Sequence, residues 1–206
     1  MDEGHRRAHW ETIYATKAPD EVSWYQARPG SSLDLIRRTG KGHDARIIDV
    51  GGGASLLVDA LLDAGFKHVT VLDISEGAIA NATERLGERA SRVCWVVEDI
   101  MAWTPDRTFD VWHDRALFHF LTAEHDRAVY RRALDAGVPA GGQVVIGTFA
   151  LDGPEQCSGL GVTRYDAAGL ASEIGPAYRL LETLDEDHVA PNGKVQRFHF
   201  CRFARL

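Results

Sequence analysis

The sequence predicts an α/β fold: a single doubly wound, mostly parallel seven-stranded sheet, ended by a C-terminal antiparallel hairpin and preceded by an N-terminal helical cap. Three observations carry this expectation. From residue 46 onward, short apolar runs rich in Val and Ile alternate with stretches of helical spacing, the pattern of successive βα units in a parallel sheet. The first of these runs ends in three consecutive glycines, Gly51 to Gly53. The last two runs are separated only by Pro191-Asn192-Gly193, a tight-turn signal that leaves no room for a helical crossover.

The elements follow in order. Trp10, Ile13 and Tyr14 share a face of a helix predicted over residues 5–17, which Pro19 interrupts, and a second helix over 31–39 stops at Gly40-Lys41-Gly42. Arg46–Val50 reads as a buried strand running into the glycines. Leu56, Leu57, Ala60, Leu61 and Ala64 then recur at helical spacing up to Gly65. The unit repeats with a strand at 69–73, a helix capped by Ser75 that carries Ala78, Ile79, Ala82 and Leu86, and a strand at 93–97. A fourth strand is expected at 109–113, a helix near 124–136, a fifth strand at 143–149 and a helix near 166–174. Strand-like runs at 178–189 and 195–203 complete the set.

At 206 residues and 45% hydrophobic, the chain is long enough for one well-buried domain and too short for two ordinary ones. It divides into a cap segment (1–44), a core (45–150) and a final part (151–206). A net charge of -7 with scattered Lys and Arg argues against nucleic acid as a partner. No apolar stretch approaches a membrane span, and no signal segment opens the chain. Cys94, Cys157 and Cys201 have no metal-binding spacing, so no metal is expected, and their small number fits a reduced, cytoplasmic setting. Cys94 and Cys201 fall within apolar runs and are expected in the core, whereas Cys157 is expected outside a strand.

The glycines where the first strand feeds a helix let the backbone pass close to a nucleotide-like ligand, with helix N–H groups turned toward it. A dinucleotide fingerprint is incomplete here, because its third glycine position is Leu56, and this counts against NAD. Asp73 ends the second strand, where a carboxylate accepts both hydroxyls of a ribose. Asp99 ends the third, placed to accept from the amine of adenine while Ile100 packs on the ring.

The segments Asp49-Val-Gly51-Gly52-Gly53, Val71-Leu-Asp73-Ile74-Ser and Glu98-Asp99-Ile100, in this order and spacing, resemble the class I S-adenosylmethionine-dependent methyltransferases of the Rossmann-like fold over residues 45 to 150. The resemblance implies S-adenosylmethionine as cofactor and S-adenosylhomocysteine as coproduct. It implies that Asp49 and Gly51 to Gly53 hold the methionine portion, Asp73 the ribose, and Asp99 with Ile100 the adenine, with Ile74 also among the cofactor-binding residues. Ser55 stands where the family has a further glycine.

On the acceptor side, His113-Asp114-Arg115 closes the fourth strand. His113 is the first candidate for acceptor contact or general base, with Asp114 beside it. The alternative reading makes Asp114 and Arg115 a structural ion pair, leaving His113 to touch the cofactor through its carbonyl. His119 is expected to be packed. Cys157, in a glycine-rich loop after the fifth strand, is a further catalytic candidate, and with a thiol or metalloid acceptor no base is needed. Trp24 and Tyr25 are placed to lie over the cofactor as a lid. The Asn/Asp-Pro-Pro-aromatic motif of base methyltransferases is absent. The expected reaction is therefore methyl transfer to a small molecule. A protein lysine or amino terminus is the alternative acceptor, and a non-catalytic cofactor-binding partner protein is the alternative of another class.

Overall fold

The computed structural model describes residues 2–206. Its seven-stranded sheet has the order β3 (Val93–Val97), β2 (His68–Asp73), β1 (Arg46–Val50), β4 (Val111–Arg115), β5 (Gln143–Phe149), β9 (Val195–Arg205), β8 (Tyr178–Val189). The first five strands run parallel, and β9 pairs antiparallel with both β5 and β8. This is the expected fold class. The strand order reverses at β1, between β2 and β4, which opens a crevice at the carboxyl ends of these strands.

Alternation along the buried strands sends neighbouring residues to opposite faces. Ile47, Val69, Val71 and Val111 pack with α3 (Leu57–Asp63) and α4 (Glu76–Leu86), joined by Ile36 of α2 (Gly30–Arg38). Ile48, Val50, Trp112 and Ile146 pack with α5 (Glu124–Gly137) and α6 (Ala167–Ile174). Each fully buried aliphatic side chain contributes about 1.5–3 kcal/mol, so these two layers hold the strand ends in place. Among the described residues no helix is long and apolar enough to cross a membrane.

The structure corrects several expectations. β4 begins and ends two residues later than the apolar run suggested, because its ladder with β1 starts at Ile47 opposite Val111; Asp114 and Arg115 are thus strand residues. Cys94 is exposed, since β3 is the sheet edge and turns this residue to solvent, whereas Cys201 is buried. Cys157 lies inside a strand after all: β6 (Gln156–Cys157) and β7 (Leu160–Gly161) form a small ribbon. Ser158 and Gly159, with φ of 52° and 78°, make its two-residue turn. The first helix, α1 (Glu3–Thr16), starts earlier than expected because Asp2 caps it by accepting from His5 N.

One buried chain of hydrogen bonds ties the sheet to α5. Trp112 Nε1 donates to Tyr130 Oη at 2.8 Å, and Tyr130 Oη donates to Asp114 Oδ2 at 2.9 Å. Burial pushes the Asp114 carboxyl up to about 6. Tyr130→Phe leaves the Asp114 oxygen and the indole N–H short of a partner, which costs on the order of 1–3 kcal/mol. Urea denaturation is expected to show that loss, with the denaturant slope unchanged; an unaltered midpoint would contradict the chain's structural role.

Candidate active site

The glycine turn shows why glycine is needed there. Gly51 and Gly53 have φ of 69° and 48°. A Cβ on Gly51 would lie 2.6 Å from Leu117 Cδ1, and one on Gly52 would lie 2.6 Å from Asp49 Oδ2. Gly51 N donates to Leu72 O at 2.7 Å, which folds the turn back toward β2. Ser55, the departure from the family pattern, accepts from Leu57 N at 3.1 Å and so helps start α3.

Behind the turn, Asp49 and His113 stand opposite one another in the β1–β4 register. His113 Nδ1 meets Asp49 Oδ1 at 2.7 Å, and His113 Nε2 meets Ser32 Oγ of α2 at 2.9 Å, all three residues being buried. Both ring nitrogens are thus engaged, so a proton-accepting role for His113 would require one of these bonds to open. Asp114 points to the opposite face, where Oδ1 accepts from Leu117 N at 3.0 Å and Phe118 N at 3.2 Å. Those bonds hold a turn in which Ala116 takes a φ of 68°, costly for a residue with a Cβ, and which sets Leu117 against Gly51. Asp114 therefore does not face the crevice, and it does not pair with Arg115. Arg115 instead donates from Nη1 to Trp24 O at 2.9 Å and lies 3.6 Å from Glu186. His119 is fully buried, and burial pushes it down to about 3, so it stays neutral.

The crevice opens at the carboxyl ends of the strands around a cavity of about 110 Å³. Asp73, Ile74, Asp99, Ile100, Gly51, Trp24 and Cys157 all border it. Asp49, Gly52, His113 and Tyr25 border a smaller neighbouring cavity on the other side of the glycine turn. Asp73 Oδ1 accepts from Ser75 N at 2.9 Å. Burial, with the Asp49 charge adding to it, pushes the Asp73 carboxyl up to about 7. A buried carboxylate with so few donors is suited to a ligand that brings hydroxyls. Asp99 Oδ1 accepts from Met101 N at 2.9 Å, and its Oδ2 is paired with Arg6 Nε at 2.7 Å.

Arg6 belongs to a set of contacts, missed in the sequence, by which α1 crosses the crevice. Arg7 Nη1 donates to Ile74 O at 2.7 Å. Glu11 accepts from Glu76 N at 2.6 Å and Gly77 N at 3.2 Å at the start of α4. Arg6, Trp10 and Tyr14, at i, i+4 and i+8, form the inward stripe of α1. The aromatic positions of this stripe were legible, whereas nothing local marked Arg6 as part of it. Trp10 stands edge-on to Trp24 at 5.8 Å and to Phe120 at 5.1 Å.

Strand order and a glycine turn at the switch point define an α/β protein of the Rossmann-like class, with acidic residues at or near the carboxyl ends of β1, β2 and β3, at one edge of the sheet. Residues 47–141 match the family model described as a methyltransferase domain. The chain is 25% identical over 127 residues to the mouse (Mus musculus) eEF1A lysine and N-terminal methyltransferase, covering 60% of this chain but only 18% of that protein. It is 36% identical over 86 residues to the ubiquinone/menaquinone biosynthesis C-methyltransferase UbiE of Methylobacterium nodulans, covering 40% of this chain and 34% of that one. In fold it is similar to the N-methyltransferase NodS from Bradyrhizobium japonicum WM9, solved in complex with S-adenosylhomocysteine, with a TM-score of 0.72, 19% identity and 99% of each chain covered.

To accept from both hydroxyls of a ribose, the role the sequence resemblance implies for it, Asp73 would have to lose its proton. Its raised pKa means that this proton is held below about pH 7. The affinity for S-adenosylhomocysteine is therefore expected to weaken as pH falls below about 7, by up to about tenfold per unit, and to level off above it. Asp73→Asn should weaken binding at pH 8 by more than about tenfold and flatten the pH dependence. Calorimetric titration at several pH values checks this, and a wild-type affinity unchanged between pH 5.5 and 8 would contradict it.

Proposed function

We propose that the chain transfers the methyl group of S-adenosylmethionine to a small-molecule acceptor. The observation that supports a small acceptor is the roof: α1 lies across the crevice, and Trp10, Tyr14, Trp24 and Phe120 border its acceptor end with aromatic surface. Such a wall suits a flat or apolar molecule held edge to edge rather than an exposed peptide segment.

The residues fit the cofactor. Asp73 would hold the ribose, Asp99 with Ile100 the adenine, and Asp49 with the glycine turn the methionine end. The bound cofactor supplies an electrophilic methyl group on a sulfonium. The protein's part is alignment: Leu117, pressed on Gly51 by the turn that Asp114 holds, limits the crevice beside the methionine end. His113 acts on this reading through Asp49, whose carboxylate it holds against the glycine turn. Cys157, buried at the acceptor end, has its thiol pushed up by burial, so it is a wall of the pocket rather than a resident thiolate.

A second reading, a protein lysine or amino-terminal amine as acceptor, draws on the eEF1A methyltransferases of mouse and zebrafish (Danio rerio), the latter 26% identical over 69% of this chain. Measuring S-adenosylhomocysteine release with a panel of small acceptors, beside methyl incorporation into denatured and native protein extracts, separates the two readings. Turnover with small acceptors alone is expected, and it should persist in Cys157→Ser at more than about one tenth of the wild-type rate. Methylation of protein with no small acceptor used would overturn the proposal.

A further inference from the structure

The acceptor end of the crevice carries one cation whose charge is incompletely answered. Arg115, the last residue of β4, borders both the crevice and the smaller cavity beside the glycine turn. Its side chain is only 10% exposed. Nη1 donates to Trp24 O, but Nε and Nη2 are buried and have no hydrogen-bond partner. Those two nitrogens form the side-on edge of a guanidinium, the edge that Arg107 turns to Asp106 and Arg85 to Asp59 in this chain. The nearest carboxylate, Glu186 of β8, pairs with Nη2 only at 3.6 Å, and its Oε1 also accepts from Gln26 Nε2 at 2.8 Å. Around the guanidinium also lie the Phe198 ring, 4.3 Å beneath it, and Cys157, Asp49, His188 and the neutral His119. Burial lowers Arg115 to about 10, and it remains charged at neutral pH.

Three groups that could act as a base near this end are already engaged. His113 spends both nitrogens on Asp49 and Ser32, Asp114 faces the other side of the sheet, and the Asp99 carboxylate is paired with Arg6. A protonated amine arriving beside Arg115 would meet a like charge.

We propose that the acceptor enters as an anion, an aromatic or apolar thiolate or phenolate, drawn by Arg115 to the space among Trp24, Phe120 and Cys157. This rests on the small-acceptor methyltransferase reading and narrows it. The acceptor's proton leaves to solvent before binding. Its lone pair then forms the bond to the methyl carbon while the carbon–sulfur bond of the sulfonium breaks, and that electron pair stays on sulfur. Anion and sulfonium give a neutral methylated product and S-adenosylhomocysteine, so the charges on the reacting atoms cancel with no group on the protein titrating.

Binding of 4-nitrobenzenethiolate, 4-nitrophenolate and benzylammonium to the protein saturated with S-adenosylhomocysteine tests this, read by quenching of Trp10 and Trp24 fluorescence and by calorimetry. The anions should bind at least about tenfold more tightly than benzylammonium. Arg115→Gln should remove that preference, Arg115→Lys should restore part of it, and neither variant should alter the affinity for S-adenosylhomocysteine. Equal or tighter binding of benzylammonium would overturn the proposal. So would an Arg115→Gln variant whose only loss is S-adenosylhomocysteine affinity, because the guanidinium would then serve the cofactor's carboxylate. A wild-type protein that binds no S-adenosylhomocysteine at all would instead overturn the underlying cofactor reading.

Discussion

The short hydrogen bond between Asp49 and His113 sits where the sheet changes winding direction, and the geometry of the site hangs on it. It joins β1 to β4 at paired residues, and through Ser32 it joins both to α2. A carboxylate buried beside three glycines would be costly if left without a donor, so the imidazole is needed to keep Asp49 in place. With Asp49 fixed, Gly52 can pass within a side chain's breadth of it. The turn then folds back onto Leu72, and the ends of β1, β2 and β3 come to one crevice.

From that point each face of β4 has its own task. His113 supports the cofactor side. Asp114, one residue on, supports the strained Ala116 turn from the α5 side, with Tyr130 and Trp112 completing its partners. Arg115 returns to the cofactor side and meets Trp24. Period-two alternation thus separates three adjacent polar residues into three roles. It also explains why a strand carrying His, Asp and Arg in a row does not bring the three side chains together on one face.

Much of the fold was legible because it rests on local signals. Val and Ile runs gave the parallel strands, Ser75 gave the start of α4, and Pro191-Asn192-Gly193 gave the final hairpin. The acids at the strand ends were legible through the same logic, since a parallel sheet gathers its carboxyl ends at one edge. The roles of Asp114 and Cys94 were not. The first depends on which face a strand shows to a helix distant in sequence, and the second on β3 being an edge, a property of the assembled sheet. The α1 contacts were hidden for a related reason. Arg6, Arg7 and Glu11 look like an ordinary solvated helix face, and only the fold brings Asp99, Ile74 and the start of α4 within their reach.

The central claim is that this crevice binds the adenosyl cofactor of methyl transfer and no dinucleotide. A calorimetric titration of the purified protein with S-adenosylhomocysteine, repeated with NAD present in excess, addresses it most directly. Saturable one-site binding of S-adenosylhomocysteine, unaffected by NAD, is the expected result. Absence of binding, or displacement by NAD, would contradict the account.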